Sequence, residues 1–271
     1  MKKILLLILI IAVALATFFF LFFAGNFWSD KEEPLVMHGY QLINEEPMYY
    51  DKNGEPAEKG CIDDKNGKHL YYCTGEGKLA VGWKYLEKKV WYFYQKEDVS
   101  SDRQLGALAR DYTTSGKFEI PESGCFEGDE ALAMAYGIDV LNRYGWDLVE
   151  AYKYSGGLRF EDEDQLDENT KIHEAALIGF EKGEGNCMVW SGTFCTMAKL
   201  LGYDCRLIWG TLEWHGTRPH SWTEIWVEGD DEPHVYDPRK NDGEDLAGFD
   251  VRYGDKGTYR YNEDSRIYLE W

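Results

Sequence analysis

Positive charge is scarce in this chain of 271 residues. It has 29 lysines and arginines against 49 aspartates and glutamates, a formal net charge of −20 and a pI near 4.7. Nucleic acids and anionic membrane surfaces attract proteins through cationic patches, which a chain of this charge has little means to build. The composition therefore argues against both as partners, and it favours a neutral or cationic substrate.

Metal-binding patterns are also missing. The six cysteines include no paired C-x-x-C arrangement, so a structural zinc site is not expected. Two Asp-Lys-Asn-Gly segments, 51–54 and 64–67, lack the alternating acidic ligands and the final glutamate of a calcium loop, and they predict turns. The acidic run 161–164 predicts a solvated loop. We therefore expect neither a metal nor a cofactor.

Six cysteines in a chain of this length permit disulfides without requiring them, because the chain is long enough to build a hydrophobic core. Cys61 and Cys73 flank a predicted hairpin and are candidates for pairing. Cys125, Cys195 and Cys205 have the surroundings of small buried hydrophobic residues. The sequence leaves the true pairing open.

One long hydrophobic run is present, Ile4–Phe23, and at about twenty residues it is long enough to span a membrane. The alternative is a signal peptide cleaved near 14–16, but that would leave the phenylalanine-rich segment 18–23 at the new N-terminus. The length favours an uncleaved anchor over residues 1–28. Because the lysines at 2–3 precede the run, the positive-inside rule predicts that the rest of the chain lies outside the cytoplasm.

Aromatic pairs recur over residues 29–121 at a period of about twenty residues, separated by glycine-rich turns. Such hairpin units must stack on one another, so the segment predicts a small all-β module. The pattern is similar to the aromatic-rich cell-wall-binding repeats of bacterial surface proteins, which implies a glycan or choline-type ligand. The same aromatics could equally form the core of a β-solenoid, and both interpretations stay open. The candidate polymer-binding aromatics are Tyr50, Tyr72, Trp83, Trp91 and Tyr92.

Three short motifs in the second half of the chain carry the residue types of a cysteine nucleophile and its base. Gly185-Asn186-Cys187 opens an apolar run at helical spacing, His220-Ser221-Trp222 opens an alternating strand, and Tyr236-Asp237-Pro238 closes the next strand. The turn predicted at 229–233 makes the two strands antiparallel neighbours. Positions 220 and 237 are therefore expected side by side.

The three motifs together predict a catalytic triad. Cys187 is the expected nucleophile, because the positive end of a helix dipole stabilises a thiolate. His220 is the expected base, preferred over His215 in a loop and over His234, which lies just before the strand that ends at Asp237. Asp237 would accept a hydrogen bond from His220 and fix its tautomer. A buried structural cysteine and a turn-forming aspartate are the simpler explanations of single motifs, but the agreement in order favours the triad.

In these motifs the chain resembles the transglutaminase-like superfamily, whose core has a Gly-x-Cys, a His followed by a small residue and an aromatic, and an Asp-Pro. The resemblance implies an α+β, papain-like domain over residues 122–271, with the nucleophile helix packed on an antiparallel sheet. It also implies a main-chain oxyanion donor at Cys187 and a side-chain donor, for which Trp146 and Tyr154 stay open.

The chemistry that the resemblance implies is acyl transfer through a thioester, on a peptide or protein substrate at the cell surface. Hydrolysis predicts an extracytoplasmic cysteine protease or amidase, which is the preferred interpretation. The alternatives are a transglutaminase that cross-links proteins through an amine, and a non-catalytic wall-binding protein with a vestigial triad.

Overall fold

The computed structural model describes residues 37–64, 67–162, 166–238, 246–255 and 259–271. The membrane anchor predicted at residues 4–23 lies outside the described residues. Within the described ranges, no helix combines the length and the apolar character needed to cross a membrane.

The first part of the chain folds into short antiparallel strands, as the aromatic pairs and turns predict. A hairpin follows a five-stranded sheet of order β1-β2-β5-β4-β3. Ring centroids of Trp83 and Tyr92, both in the hairpin, are 4.6 Å apart, so the aromatic repeat builds the interior of the module. The strands are β1 (Gly39–Ile43), β2 (Glu46–Tyr50), β3 (Gly60–Asp63), β4 (Leu70–Gly75), β5 (Lys78–Leu79), β6 (Gly82–Leu86) and β7 (Lys89–Phe93).

The two halves of the chain share a sheet and a core. Three short strands come next: β8 (Tyr112–Thr113), β9 (Glu119–Ile120) and β10 (Cys125–Phe126). Strand β10 pairs antiparallel with β7, so the segment predicted as the catalytic domain, 122–271, supplies an edge strand to the module before it. Phe118 packs edge-to-face against Trp271, with ring centroids 4.7 Å apart, in a hydrophobic cluster that continues into the helices. The division at residue 122 stays a prediction.

The helices come next in the chain, and local sequence signals mark several of their ends. They are α1 (Gly128–Tyr144), α2 (Leu148–Gly156), α3 (Ile172–Lys182) and α4 (Cys187–Leu200). Gly145 caps the C-terminus of α1, and the Asp147 side chain accepts hydrogen bonds from first-turn N–H groups of α2. Every residue of α4 from Met188 to Leu200 is buried, which makes α4 the central helix of the domain.

The C-terminal sheet packs against α4. Its strands are β13 (Asp204–Glu213), β14 (Thr217–Trp226), β15 (His234–Tyr236), β16 (Arg260–Tyr261) and β17 (Ile267–Tyr268), in the order β15-β14-β13-β16 with β17 also paired to β13. Two hydrogen bonds fix α4 to β14: Ser191 Oγ donates to the Ser221 carbonyl at 3.1 Å, and Thr223 Oγ1 donates to the Ser191 carbonyl at 3.0 Å. A helix on an antiparallel sheet is the arrangement expected for the α+β core.

A two-stranded parallel pair leads the chain into α4. It consists of β11 (Arg159–Phe160) and β12 (Glu184–Gly185), in which Phe160 lies opposite Gly185. The Glu161 N–H also donates to the Gly185 carbonyl at 3.0 Å. Pairing with β11 along one edge therefore holds Glu184 and Gly185, just before Cys187, in an extended conformation.

Cys61 and Cys73, the candidates for a disulfide, are not paired. In the β3–β4 ladder Cys61 lies opposite Tyr72, whereas Cys73 lies opposite Gly60. Adjacent residues of a strand face opposite sides of the sheet, so Cys61 is exposed and Cys73 is buried. All six cysteines lie in the described ranges and carry free thiols.

Candidate active site

Cys187 is the first residue of α4, as the sequence predicts. The chain enters the helix through Gly185, where an added Cβ would lie 2.4 Å from the Val189 Cβ, so a larger residue would clash. Asn186 caps the helix by accepting hydrogen bonds from the N–H groups of Met188 and Val189, at 3.0 and 3.4 Å. Unlike the rest of the helix, Cys187 is only partly buried. The thiol thus lies at a helix N-terminus with access for a substrate.

His220 and Asp237 meet as expected from the two neighbouring strands. Thr223 of β14 lies opposite Tyr236 of β15, which places His220 and Asp237 on one face of the sheet. His220 Nε2 lies 2.9 Å from Asp237 Oδ2, and the side chains are 14% and 1% exposed. Because Nε2 is engaged by Asp237, Nδ1 is the ring nitrogen left for Cys187.

The surroundings of His220 favour its charged form. Burial alone would lower the pKa of the imidazole, but the charge of Asp237, its hydrogen bond, and the hydrogen bond and charge of Cys187 together raise the pKa of His220 to about 10. His220 is therefore protonated at neutral pH and can stabilise a thiolate on Cys187. An imidazolium next to a thiol is the arrangement that activates a cysteine nucleophile.

Comparison with protein families identifies the part of the chain that holds this geometry. Residues 148–235 match the model described as the transglutaminase-like superfamily. That segment has a transglutaminase-like core. The match covers about a third of the chain, includes Cys187 and His220, and ends just before Asp237. It confirms the transglutaminase-like resemblance for this segment, which holds the first two of the three sequence motifs.

Solved structures give partial likenesses. Choline binding protein F of Streptococcus pneumoniae, in the presence of a peptidoglycan analogue, is 22% identical over 34% of this chain and 27% of that chain, with a TM-score of 0.26. CbpJ of the same species is 21% identical over 36% and 29%, with a TM-score of 0.27. A candidate cysteine protease of Cytophaga hutchinsonii is 8% identical over 54% and 44%, with a TM-score of 0.34.

The chain spans less than half the length of each of these three structures. A search of curated proteins gives no match.

Two tyrosines that sequence reasoning did not find hold Asp237 in the transglutaminase-like core. Tyr261, on β16, donates its hydroxyl to Asp237 Oδ2 at 2.8 Å, the same oxygen that faces His220. Tyr152, on α2, donates its hydroxyl to the main-chain carbonyl of Asp237 at 2.7 Å. Neither tyrosine lies in a motif, and no local pattern marks either of them.

A buried polar network extends from His220 along the same face of β14. The Trp222 ring stacks on the imidazole with centroids 6.5 Å apart, and its indole N–H donates to the Tyr253 hydroxyl at 2.8 Å. The Tyr253 hydroxyl donates in turn to Glu224, which is fully buried and paired with Arg266 at 3.2 Å. The aromatic expected beside the base is therefore anchored through its own N–H group and held against the ring.

The rival histidines lie elsewhere. Both ring nitrogens of His234 face carboxylates, Nδ1 at 2.5 Å from Asp250 and Nε2 at 2.7 Å from Asp230, so neither is left for a thiol. His215 lies in the β13–β14 turn with its ring against Trp214. His220 is thus the histidine that the fold brings to Cys187.

The two candidates for a side-chain oxyanion donor have other contacts. Trp146 donates its indole N–H to Asn142 Oδ1 at 3.0 Å, near the end of α1. The Tyr154 ring stacks on Phe180 and contacts Tyr144. The main-chain N–H of Cys187 remains the expected donor.

Two of the five candidate polymer-binding aromatics are core residues. Trp83 and Tyr92 are 7% and 2% exposed, packed against each other, so neither offers a ring face to a polymer, and the prediction is wrong for both. Tyr50, Tyr72 and Trp91 are only partly buried. Tyr72 and Trp91 line one small apolar pocket, together with Cys61, Leu70, Leu86 and Phe93.

Proposed function

We propose that this protein is an extracytoplasmic cysteine enzyme that hydrolyses peptide or amide bonds of cell-wall or surface-protein substrates. The observation that carries the proposal is the arrangement of Cys187 at the start of α4 and of His220, whose Nε2 lies 2.9 Å from Asp237 Oδ2. The pKa of His220, raised to about 10 beside Asp237 and Cys187, favours its imidazolium form at neutral pH. A thiolate–imidazolium pair at a helix N-terminus is the arrangement that activates a cysteine for acyl transfer.

The chemistry follows from the positions of these groups. Cys187 Sγ attacks the amide carbon, and the main-chain N–H of Cys187 stabilises the negative oxygen of the tetrahedral intermediate. His220 then gives its Nδ1 proton to the leaving amine, which leaves a thioester on Cys187. Water, deprotonated by the now neutral His220, attacks the thioester and releases a carboxylate. Asp237 holds the ring orientation throughout.

The same thioester reacts with a primary amine if one reaches the site before water does, and the product is then a cross-link. Incubation with a glutamine-containing protein and a fluorescent primary amine separates the two outcomes. Hydrolysis releases free carboxylate or new peptide ends without incorporation of the amine. Incorporation of the fluorescent amine that is lost in Cys187→Ala would replace the hydrolase proposal with a transamidase.

The proposed location rests on the hydrophobic run Ile4–Phe23 and the lysines before it. A reporter enzyme that is active only outside the cytoplasm, fused after Trp271, is expected to be active. An inactive fusion that is nevertheless produced in full would overturn the proposed location.

We also propose that Tyr50, Tyr72 and Trp91 contact a cell-wall polymer. The centre of this binding site is the apolar pocket between β4 and β7, which Tyr72 and Trp91 line. Binding to purified cell-wall sacculi is expected to fall in Tyr72→Ala and Trp91→Ala. Tyr85→Ala serves as the control, because Tyr85 is also an exposed aromatic of this module but does not line the pocket. Equal binding of all four proteins would contradict a role for the pocket.

Alkylation of the full-length chain in detergent tests the triad directly, because Cys61 is an exposed thiol in the same molecule and serves as an internal reference. At pH 6 an ordinary thiol is less than about 1% ionised. Iodoacetamide is therefore expected to label Cys187 at least about tenfold faster than Cys61, as measured by peptide mapping. His220→Ala should remove this advantage without affecting Cys61.

Equal rates at the two cysteines, or a Cys187 rate that does not change in His220→Ala, would refute an activated nucleophile. The vestigial-triad alternative would then describe the protein better.

A further inference from the structure

Two cysteines outside the triad lie in contact inside the core. Cys195 is in the middle of α4 and Cys205 is near the start of β13, and their Sγ atoms are 3.6 Å apart. Both residues are buried, at 0% and 1% exposure. Ten positions separate them in sequence, so their contact depends on how α4 packs on the sheet.

The other cysteines have different surroundings. Cys61 is exposed, Cys73 donates to a main-chain carbonyl, and Cys125 lies beside a serine hydroxyl. Cys187 lies beside His220 in the triad. Among the six cysteines, all of which lie in the described ranges, two sulfurs are in contact only at Cys195 and Cys205.

We propose that Cys195 and Cys205 form a redox site that closes to a disulfide when the chain folds in an oxidising environment. A disulfide bond is about 2.05 Å long, so the two sulfurs must approach by roughly 1.5 Å, a movement within reach of small rotations of both side chains.

The oxidant is a small-molecule or protein disulfide, for which glutathione disulfide is the simplest example. One cysteine thiolate attacks it and forms a mixed disulfide, releasing one thiol, and the other cysteine then displaces the second. One S–S bond forms and one breaks. The two hydrogens of Cys195 and Cys205 leave on the two thiols of the reduced acceptor.

The exchange belongs to folding, before the core closes. In the folded protein, burial raises the pKa of the Cys205 thiol, and so does its hydrogen bond with Cys195. The thiolate is the attacking species in thiol–disulfide exchange, so a buried protonated pair reacts slowly. The same burial shields a bridge from reductants once it has formed.

The bridge would join the elements that carry the two reacting groups. Cys187 begins α4, which also contains Cys195, and His220 lies on β14, which pairs along its length with β13. Cys205 lies opposite Ile225 in that ladder, and Gly210 lies opposite His220. A covalent link from α4 to β13 therefore limits how far the nucleophile helix can move from the strand of the base.

The chain offers a direct way to detect the bridge, because Lys199 lies between the two cysteines and Arg206 follows the second. Trypsin releases residues 183–199 and 200–206 as separate peptides unless a disulfide joins them. The full-length chain in detergent is unfolded in guanidinium, refolded in oxidised or reduced glutathione, blocked with N-ethylmaleimide and digested. Cys187→Ser is the working background, so that 183–199 contains Cys195 alone.

The joined peptide is expected after oxidised refolding and not after reduced refolding. It should disappear in Cys187→Ser/Cys195→Ala and persist in Cys187→Ser/Cys61→Ser. If both peptides carry the maleimide in a chain that has refolded under oxidising conditions, the proposal is overturned. The glutathione buffer supplies the oxidising conditions in vitro, and residue 187 is a serine in this background. The result therefore depends neither on where the protein is located in the cell nor on whether Cys187 is an activated nucleophile.

Thermal unfolding provides the second readout. A bridge across this short loop is expected to raise the midpoint of the oxidised wild type by about 5–10 °C over the reduced protein. In Cys195→Ala the midpoint should not depend on the glutathione ratio. A joined peptide without a midpoint shift would show that the bridge forms outside the native packing, against the proposal.

Discussion

At the scale of single residues, the carboxylate of Asp237 organises the site. Its Oδ2 accepts hydrogen bonds from His220 and from Tyr261, and its main-chain carbonyl accepts one from Tyr152. A carboxylate that is 1% exposed needs such donors to offset the loss of water. Tyr261 is therefore a positioning residue, which acts on Cys187 only through Asp237 and His220.

Tyr261→Phe removes one donor from Asp237 and keeps the aromatic ring. We expect the unfolding free energy to fall by about 1–3 kcal/mol, because Asp237 loses a hydrogen bond. Alkylation of Cys187 at pH 6 should slow by about 3–10-fold, because Asp237 and the ring of His220 are then held less firmly in position. The carboxylate charge then acts more strongly on His220, so its pKa, followed by NMR titration of the ring, should rise. Tyr85→Phe, at an exposed strand position, is the control. A loss of stability with no change at His220 would reduce Tyr261 to a packing residue.

The protonated His220 makes stability depend on pH in a defined window. Its pKa of about 10 lies above the ordinary value of 6.5, so between these values the folded protein holds a proton that the unfolded chain has lost. This stabilisation is complete below about pH 6.5 and is lost as the pH rises to about 10. In a Cys187→Ser background, where no thiolate forms to offset this proton, the unfolding free energy should fall with rising pH by up to about 1.4 kcal/mol per pH unit relative to Cys187→Ser/His220→Gln. Guanidinium unfolding at steps from pH 6 to 10 measures it, and parallel curves would contradict the imidazolium.

The sequence is informative about residues whose surroundings are local. Cys187 begins α4, His220 lies within β14 and Asp237 directly follows β15. Neighbouring residues specify each of these elements, so a single chain is enough to find the three residues. Tyr261 and Tyr152 lie 24 and 85 residues from Asp237. Their hydroxyls reach it only because the complete fold packs β16 and α2 around the site, which no local pattern encodes.

At the scale of elements, the position of α4 depends on small residues. Gly192 faces α3, and an added Cβ would lie 2.9 Å from the Ala175 Cβ and 3.4 Å from the Ala176 main-chain nitrogen. The glycine lets the two helices approach at backbone distance. Ser191, next to it, makes the hydrogen bonds that fix α4 to β14, so a shift of the helix would move Cys187 relative to His220.

Gly192→Ala should therefore destabilise the protein by about 1–3 kcal/mol, although alanine is the better helix former. It should also slow alkylation of Cys187, because the nucleophile helix is displaced. The double mutant Gly192→Ala/Ala175→Gly moves the methyl group to the other helix, and it should be more stable than the sum of the single effects predicts. Additive effects in this cycle would show that the close contact does not limit the approach of the helices.

The hairpins of the first module contain turns that the sequence does not reveal. The β1–β2 and β6–β7 connections are two-residue turns with both residues at positive φ: Asn44 and Glu45 at 51° and 68°, and Glu87 and Lys88 at 55° and 64°. Such turns normally carry Asn-Gly, and neither of these two does. Here the packing between the two strands imposes the turn conformation. Helix ends differ, because a capping residue such as Asp147 marks the end in the local sequence. Strands of two residues, such as β16, are too short to show any periodicity.

Lys88→Gly removes the Cβ from a left-handed position on the surface. We expect the unfolding free energy to rise by about 0.5–1 kcal/mol, because the relief of strain exceeds the added entropy of the unfolded chain. Lys52→Gly is the matched control, since Lys52 is an exposed turn residue outside the positive-φ positions, and it should be neutral or slightly destabilising. If urea unfolding gives the same sign for both variants, the strain at Lys88 is absent.

At the scale of the whole molecule, the repeat module and the transglutaminase-like core are built into one another. Strand β10 completes the sheet of the β6–β7 hairpin, and Lys199, in the nucleophile helix, donates to the carbonyl of Gly116 at 3.0 Å. Phe118 stacks edge-to-face on both Trp83 and Trp271, and so links the aromatic interior of the module to the C-terminus. The change from aromatic repeats to helical patterns predicts two separate units. That change shows where one kind of secondary structure ends, but it contains no information on which surfaces pack together in the folded chain.

A shared core predicts that the two parts unfold together. We expect a single calorimetric transition for the full-length chain in detergent, with equal calorimetric and van't Hoff enthalpies. Phe118→Ala removes a side chain that is 2% exposed, and it should lower the unfolding free energy by about 3–5 kcal/mol while the transition stays single. Val99→Ala, at a residue that is 49% exposed, should change it by less than about 0.5 kcal/mol. Two transitions, of which Phe118→Ala shifts only one, would show that the module and the core are independent, and the wall-binding proposal would then have to be tested on the module alone.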